Sequence, residues 1–149
     1  MKKRKTMKDK KALTAPCGLD CFHCEIYEDN LTNDLAQVIH EKFGVPKEAI
    51  PCRGCRQQDG KHFHLPEKGC ATLNCVKAKG VELCCDCDDF PCPLLAPTAD
   101  GASRYPHNMK VYNLCRIKQV GLEQWIEESG EIRKKYFAGK FVVGKGQAH

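Results

Sequence analysis

What this sequence most lacks is a long apolar run. No stretch approaches the ~18 residues of a membrane span, so neither a spanning segment nor a membrane partner is expected. Aromatic residues are scarce as well, at 7% with a single tryptophan. The apolar fraction of 42% counts twelve cysteines among 149 residues, about 8% of the chain, and falls to about 34% without them. That is little material for one packed core. The length excludes most large catalytic folds, since a (β/α)₈ barrel takes about 250 residues. One domain, with or without an appendage, is the expectation.

The sequence also lacks the apolar segment of a secretory signal. Lys2, Lys3, Arg4 and Lys5 look like its charged start, but residues 6–16 offer only Met7, Ala12, Leu13 and Ala15. A cytoplasmic protein is therefore expected. In a reducing cytosol, cysteines stay thiols, which favours metal ligation over a disulfide framework.

Charge is distributed unevenly. Residues 1–11 carry seven basic side chains and one acid, a net +6. Residues 12–100 carry 8 basic and 14 acidic groups, a net −6, together with eleven of the twelve cysteines. Residues 101–149, with 9 basic and 4 acidic groups, return to +5. The acidic middle does not suit a phosphate-binding face, which leaves the basic tail and the C-terminal third for any nucleic-acid contact. The division expected is a disordered basic tail over residues 1–11, a cysteine-rich metal-binding region over 12–100, and a helical C-terminal region over 101–149 packing on it.

Periodicity places four helices. Leu31, Leu35, Val38, Ile39 and Phe43 form one apolar stripe, with Thr32 or Asn33 as cap and Gly44 as stop. A short helix over residues 71–79, stopped by Gly80, puts Cys70 and Cys75 near its start. Residues 108–118 read as a helix with Met109, Tyr112 and Leu114 or Cys115 inward. After Gly121, a last helix aligns Leu122, Trp125, Ile126 and Ile132, and the chain beyond Phe141 is expected to be loosely extended. Between Ile50 and Cys92 only eight large apolar residues occur. They cannot offset a chain entropy of about 1–2 kcal/mol per ordered residue, so this region needs crosslinks.

Cysteine spacing supplies them. Cys17-x3-Cys21-x2-Cys24 is followed by Cys52-x2-Cys55, Cys70-x4-Cys75, and Cys84-x2-Cys87 with Cys92 after four more residues. Two intervening residues let both sulfurs of a tight turn face one ion, and structural Zn²⁺ takes four such ligands in a tetrahedron at about 2.3 Å. These ten cysteines are the candidate metal ligands, for two Zn²⁺ ions or, if histidines join, three. His62 and His64 are the extra candidates; His23, inside the first turn, should point away. Cys85 and Cys115 read as buried small hydrophobes. Which cysteine pairs with which is open.

In order and spacing, the motifs Cys17-Gly18-Leu19-Asp20-Cys21-x-x-Cys24, Cys52-x-Gly54-Cys55, Gly69-Cys70, Lys79-Gly80-Val81-Glu82, Cys84-x-x-Cys87 and Asp89-Phe90-Pro91-Cys92 resemble the cysteine-rich prokaryotic family known as domain of unknown function 3795. Asn113-Leu114, Gly121-Leu122-Glu123 and Trp125 are similar to the helical tail of some members, extending the resemblance over residues 16–128. It implies a small zinc-binding protein without an assigned activity, and ligand roles for the same ten cysteines.

Other chemistries fit less well. The first three cysteines have the spacing of a radical-enzyme [4Fe–4S] site, but His23 stands where those enzymes carry an aromatic residue, and no alternation of strands and helices follows. A plain iron–sulfur redox protein remains the alternative cofactor reading, because thiolates alone do not separate iron from zinc. Residues 139–145 match the start of a P-loop, but Gly146 replaces the Ser or Thr that would hold Mg²⁺. Asp86, Asp88 and Asp89 read as a solvated turn. The sequence expectation is a small metal-stabilised fold, mainly α with irregular zinc-knuckle loops. Its function is expected to be that of a binding or adaptor module with a protein partner; the alternatives are the redox protein and a nucleic-acid binder acting through the basic tail.

Overall fold

A computed structural model describes residues 4–148. Five α-helices occur among them: α1 (Met7–Ala12), α2 (Asn33–Phe43), α3 (Ala71–Lys79), α4 (Lys110–Val120) and α5 (Leu122–Ala138). Short 3₁₀ turns, including Cys21–His23 and Cys84–Asp86, interrupt the irregular connections. A small antiparallel hairpin, β1 (Lys140–Val142) with β2 (Gly146–Ala148), follows α5. No described helix is long and apolar enough to cross a membrane.

The core explains the arrangement. Leu13, Phe22, Leu73, Val76, Leu83, Leu95, Leu114, Ile117, Trp125 and Ile126 are buried together with Cys84 and Cys85. Half-buried Cys17, Cys55, Cys70 and Cys92 pack against that cluster. Sulfur thus fills space that hydrocarbon fills elsewhere. The α4–α5 pair supplies the largest side chains, and the bidentate pairing of Arg116 with Glu128 (2.7 and 2.9 Å) ties the two helices. Tyr136 donates its hydroxyl proton to the carbonyls of Ala102 and Tyr105, both at 3.1 Å, pinning the loop that precedes α4.

Several expectations meet the structure directly. Thr32 caps α2 by accepting the Leu35 N–H at 3.2 Å, and Gly44 and Gly80 end α2 and α3. Others are corrected. Residues 1–3 of the expected disordered tail lie outside the described residues, but Met7–Ala12 is helical. Thr6 accepts the Asp9 N–H (3.2 Å) while the Asp9 carboxylate accepts the Thr6 N–H (2.9 Å), a capping box that a reading by charge passes over. Lys5 lies 4.5 Å from the centre of the Tyr27 ring and bonds Asn30, so this part of the arm is spent within the fold.

The α2 stripe buries only Ile39; Val38 (54% exposed) and Phe43 (57%) face outward, because α2 sits at the periphery. Tyr112 is 60% exposed rather than inward, and Cys115 is exposed, since α4 turns Asn113, Leu114 and Ile117 to the core. The expected extended end is the hairpin.

Candidate metal centre

The first three cysteines lie on a loop that both C-terminal helices grip. An antiparallel bridge between Thr14 and Asp20 closes the loop around Cys17. From α4, the buried Asn113 amide donates to the Gly18 carbonyl at 2.8 Å. From α5, the Arg133 guanidinium donates to Asp20 at 2.8 Å, and Ser129 meets His23 at 3.1 Å. Phe22 packs edge-on against Trp125 with ring centres 6.1 Å apart. His23 is therefore turned onto α5.

Gly18 is required here: its φ is +85°, and a Cβ would stand 2.8 Å from Leu114 Cγ and 3.0 Å from the Lys110 carbonyl. Gly18→Ala should destabilise the protein by about 1–3 kcal/mol, read as a lowered denaturant midpoint at unchanged slope. A shift within error would show that the loop is not seated on α4.

The ten candidate cysteines draw into two neighbourhoods. Cys17, Cys21, Cys24, Cys52, Cys55 and Cys70 form one, linked by mutual repulsion between their sulfurs when ionised: Cys21 with Cys55, Cys17, Cys24 and Cys52, and Cys55 with Cys17, Cys70 and Cys52. Cys75, Cys84, Cys87 and Cys92 line the other, a cavity of about 340 Å³ walled by Val76, Val81, Phe90 and Leu95. The two adjoin where the Cys84 N–H donates to the Pro16 carbonyl at 2.8 Å, and Cys84 also senses Cys17. Among the described residues, no three His, Cys, Asp or Glu donors are in position to hold one ion together. All twelve cysteines are free thiols.

Backbone amides prepare several sulfurs for negative charge. Gly54 donates its N–H to Cys52 Sγ, and Asp89 to Cys87 Sγ, each at 3.4 Å. Burial raises the Cys17 and Cys24 thiols, and the nearby backbone amides of Leu19 and Ile26 work against it. Burial comes first for Cys17, Cys21, Cys24, Cys52, Cys55 and Cys84. It pushes the Cys55 thiol up to about 11 and Cys84 to about 12, with crowding by neighbouring sulfurs adding to it, and Cys21 rises well above the usual range. Thiols so crowded stay protonated unless a cation compensates them. Some cations are at hand. Lys79 Nζ lies 3.4 Å from Cys87 Sγ and also pairs with Asp89, while Arg56, Lys110 and Arg133 favour the charged forms of Cys55, Cys17 and Cys24 respectively.

His62 and His64 face each other through their Nδ1 atoms, and His62 Nε2 contacts the Ile50 carbonyl at 2.9 Å. Cys85 is 2% exposed in the core, and its carbonyl accepts from Lys118 at 3.2 Å. Sequence reading missed Asp20 and Arg133, which meet over 113 positions; the Asp20 side of the pair stood inside the first cysteine motif without a visible partner.

Fold and site together define a small, mainly helical protein condensed around its cysteines. The chain belongs to the DUF3795 family, described as proteins of unknown function, whose model matches residues 13–97. The match covers all ten candidate ligands and ends before α4, so the similarity noted around Asn113 and Trp125 lies outside it. Neither a curated protein nor a solved structure matches the chain.

Proposed function

We propose that this protein is a structural zinc protein: Cys17, Cys21, Cys24, Cys52, Cys55, Cys70, Cys75, Cys84, Cys87 and Cys92 hold two or three Zn²⁺ ions, and the metal-shaped body acts as a binding or adaptor module. The observation that supports it is the burial of Cys17, Cys55, Cys70, Cys84 and Cys92 in and against the core, with Cys75 and Cys87 lining the adjoining cavity, all on segments with the spacing of metal-binding turns. Four thiolates close the coordination shell of Zn²⁺ and leave no position for substrate, which favours a structural role over a catalytic one. Thiolate ligands also neutralise the cost of burying these sulfurs, because the dication displaces their protons.

Elemental analysis of protein purified anaerobically without added metal tests the reading. Stoichiometric zinc in a colourless solution is the expected result. Iron with acid-labile sulfide in a brown solution would establish the iron–sulfur alternative instead. Folded protein without stoichiometric metal would defeat both.

A further inference from the structure

We infer that the β1–β2 hairpin is a contact site for an anionic phospholipid surface: Phe141 and Val143 enter the boundary between headgroups and acyl chains, and Lys134, Lys135, Lys140 and Lys145 meet the phosphates. The hairpin lies outside the cysteine-bearing segments, so this contact does not depend on zinc. It departs from the expectation that no membrane takes part, which rested on the want of a spanning segment. Contact with the surface of a bilayer needs none.

Among the described residues, Val143 (87%) and Phe141 (78%) are the most exposed of the large apolar side chains. Single apolar groups in solvent are ordinary on a protein surface, but these two lie two positions apart, and Val142 between them is exposed as well. Phe141 stands in the middle of β1, opposite Gln147. Val143 opens the turn that the Lys145 N–H closes on the Val142 carbonyl at 3.0 Å. A two-stranded hairpin is at best marginally stable by itself in water. This one is held to α5 by the Gln147 amide, which donates to the Lys135 carbonyl. The fold thus fixes an apolar tip in solvent instead of turning it inward.

Charge selects the partner. Residues 133–149 carry five lysine and arginine side chains and no aspartate or glutamate. Arg133 is spent on Asp20, but the amines of Lys134, Lys135, Lys140 and Lys145 have no hydrogen-bond or ion-pair partner among the described residues. The Gln147 bond brings β2 beside the part of α5 that bears Lys134 and Lys135, so helix end and hairpin share one basic locality.

Other occupants satisfy only half of this surface. A second copy of the chain would set lysine against lysine with no acid in the segment to offset them. Nucleic acid would pair its phosphates with the lysines but leave Val142 and Val143 in water, since an aliphatic side chain offers no face for base stacking. An anionic bilayer answers both parts: the apolar tip leaves water, and each lysine near the charged surface strengthens binding about fivefold.

Co-sedimentation of the full chain, as purified, with vesicles of phosphatidylcholine alone and with vesicles that also contain phosphatidylserine provides the test. The chain should partition onto the mixed vesicles only, and less so as salt rises. Phe141→Ser with Val143→Ser should lower that partition at least about tenfold, and Lys140→Gln with Lys145→Gln about 25-fold. The circular dichroism of both variants should match the parent, because all four side chains are exposed. As a direct readout, Val143→Trp should add an emission that shifts to the blue on the mixed vesicles, above the constant background of buried Trp125. No partition, equal partition onto both vesicles, or an unshifted emission would overturn the inference. Self-association, or binding of a single-stranded oligonucleotide, that Phe141→Ser with Val143→Ser abolishes would assign the tip to that partner instead.

Discussion

If the protein binds zinc as proposed, extraction of the metal with a strong chelator should unfold it, with loss of the helical far-UV signal and a red shift of the fluorescence of Trp125, its single tryptophan. Bound structural zinc supplies roughly 10–16 kcal/mol at neutral pH, at least as much as the whole net stability of an ordinary domain, about 5–15 kcal/mol. Among the described residues, the main core cluster holds ten apolar side chains plus Cys84 and Cys85, and Cys17, Cys55, Cys70 and Cys92 are among those packed against it. On the zinc proposal, removal of the metal leaves those sulfurs as neutral thiols held by packing alone. Trp125 is fully buried against the cysteine-bearing loop, so it reports on the region rather than on α5 alone. Re-addition of Zn²⁺ should restore both signals. An unchanged spectrum after proven metal removal would show that the apolar core suffices.

Trp125→Ala should cost about 3–5 kcal/mol, the range for truncating a large buried aromatic side chain. Trp125 fills the space between α5 and the turn at Cys21–His23, where Phe22 meets its ring at an interplanar angle of 76°. Its indole N–H has no partner among the described residues, so the loss is one of packing and not of a hydrogen bond. Trp125→Phe, which keeps an aromatic body, should recover much of the difference. Guanidinium unfolding of the protein as purified, followed by circular dichroism, gives the measurement. A cost below about 1 kcal/mol would mean that α5 is not what closes the core over the first cysteine loop.

The parts legible in the sequence were those with local causes. Thr32 and Gly44 bound α2, and Gly80 ends α3, because caps act within one turn. The apolar series Trp125 and Ile126 faces the core as its spacing requires. What periodicity cannot give is whether a stripe finds a partner. The α2 stripe has as good a pattern, yet Val38 and Phe43 stay in solvent because no layer of the fold reaches them. In α4 the rotation about the helix axis was misjudged at Tyr112, since Asn113, a polar residue, takes an inward position to hold Gly18. Thr6 and Asp9 carried a legible cap that the surrounding lysines obscured. At the site, the candidate list comes from spacing, whereas contacts such as Gly60 against Cys70 follow from no local rule.

The grip on the first cysteine loop comes from distant parts of the chain. Gly18 waits for Asn113, 95 positions on, and Asp20 for Arg133 at 113. During synthesis at ~5–20 residues per second, the ribosome needs roughly 5–20 s to deliver those partners after the loop has emerged. Throughout that interval the nascent thiols stand open to oxidants and to whichever thiophilic ion arrives first. The order of translation therefore makes the redox state around the ribosome part of how this protein matures and, on the zinc proposal, the metal supply there as well.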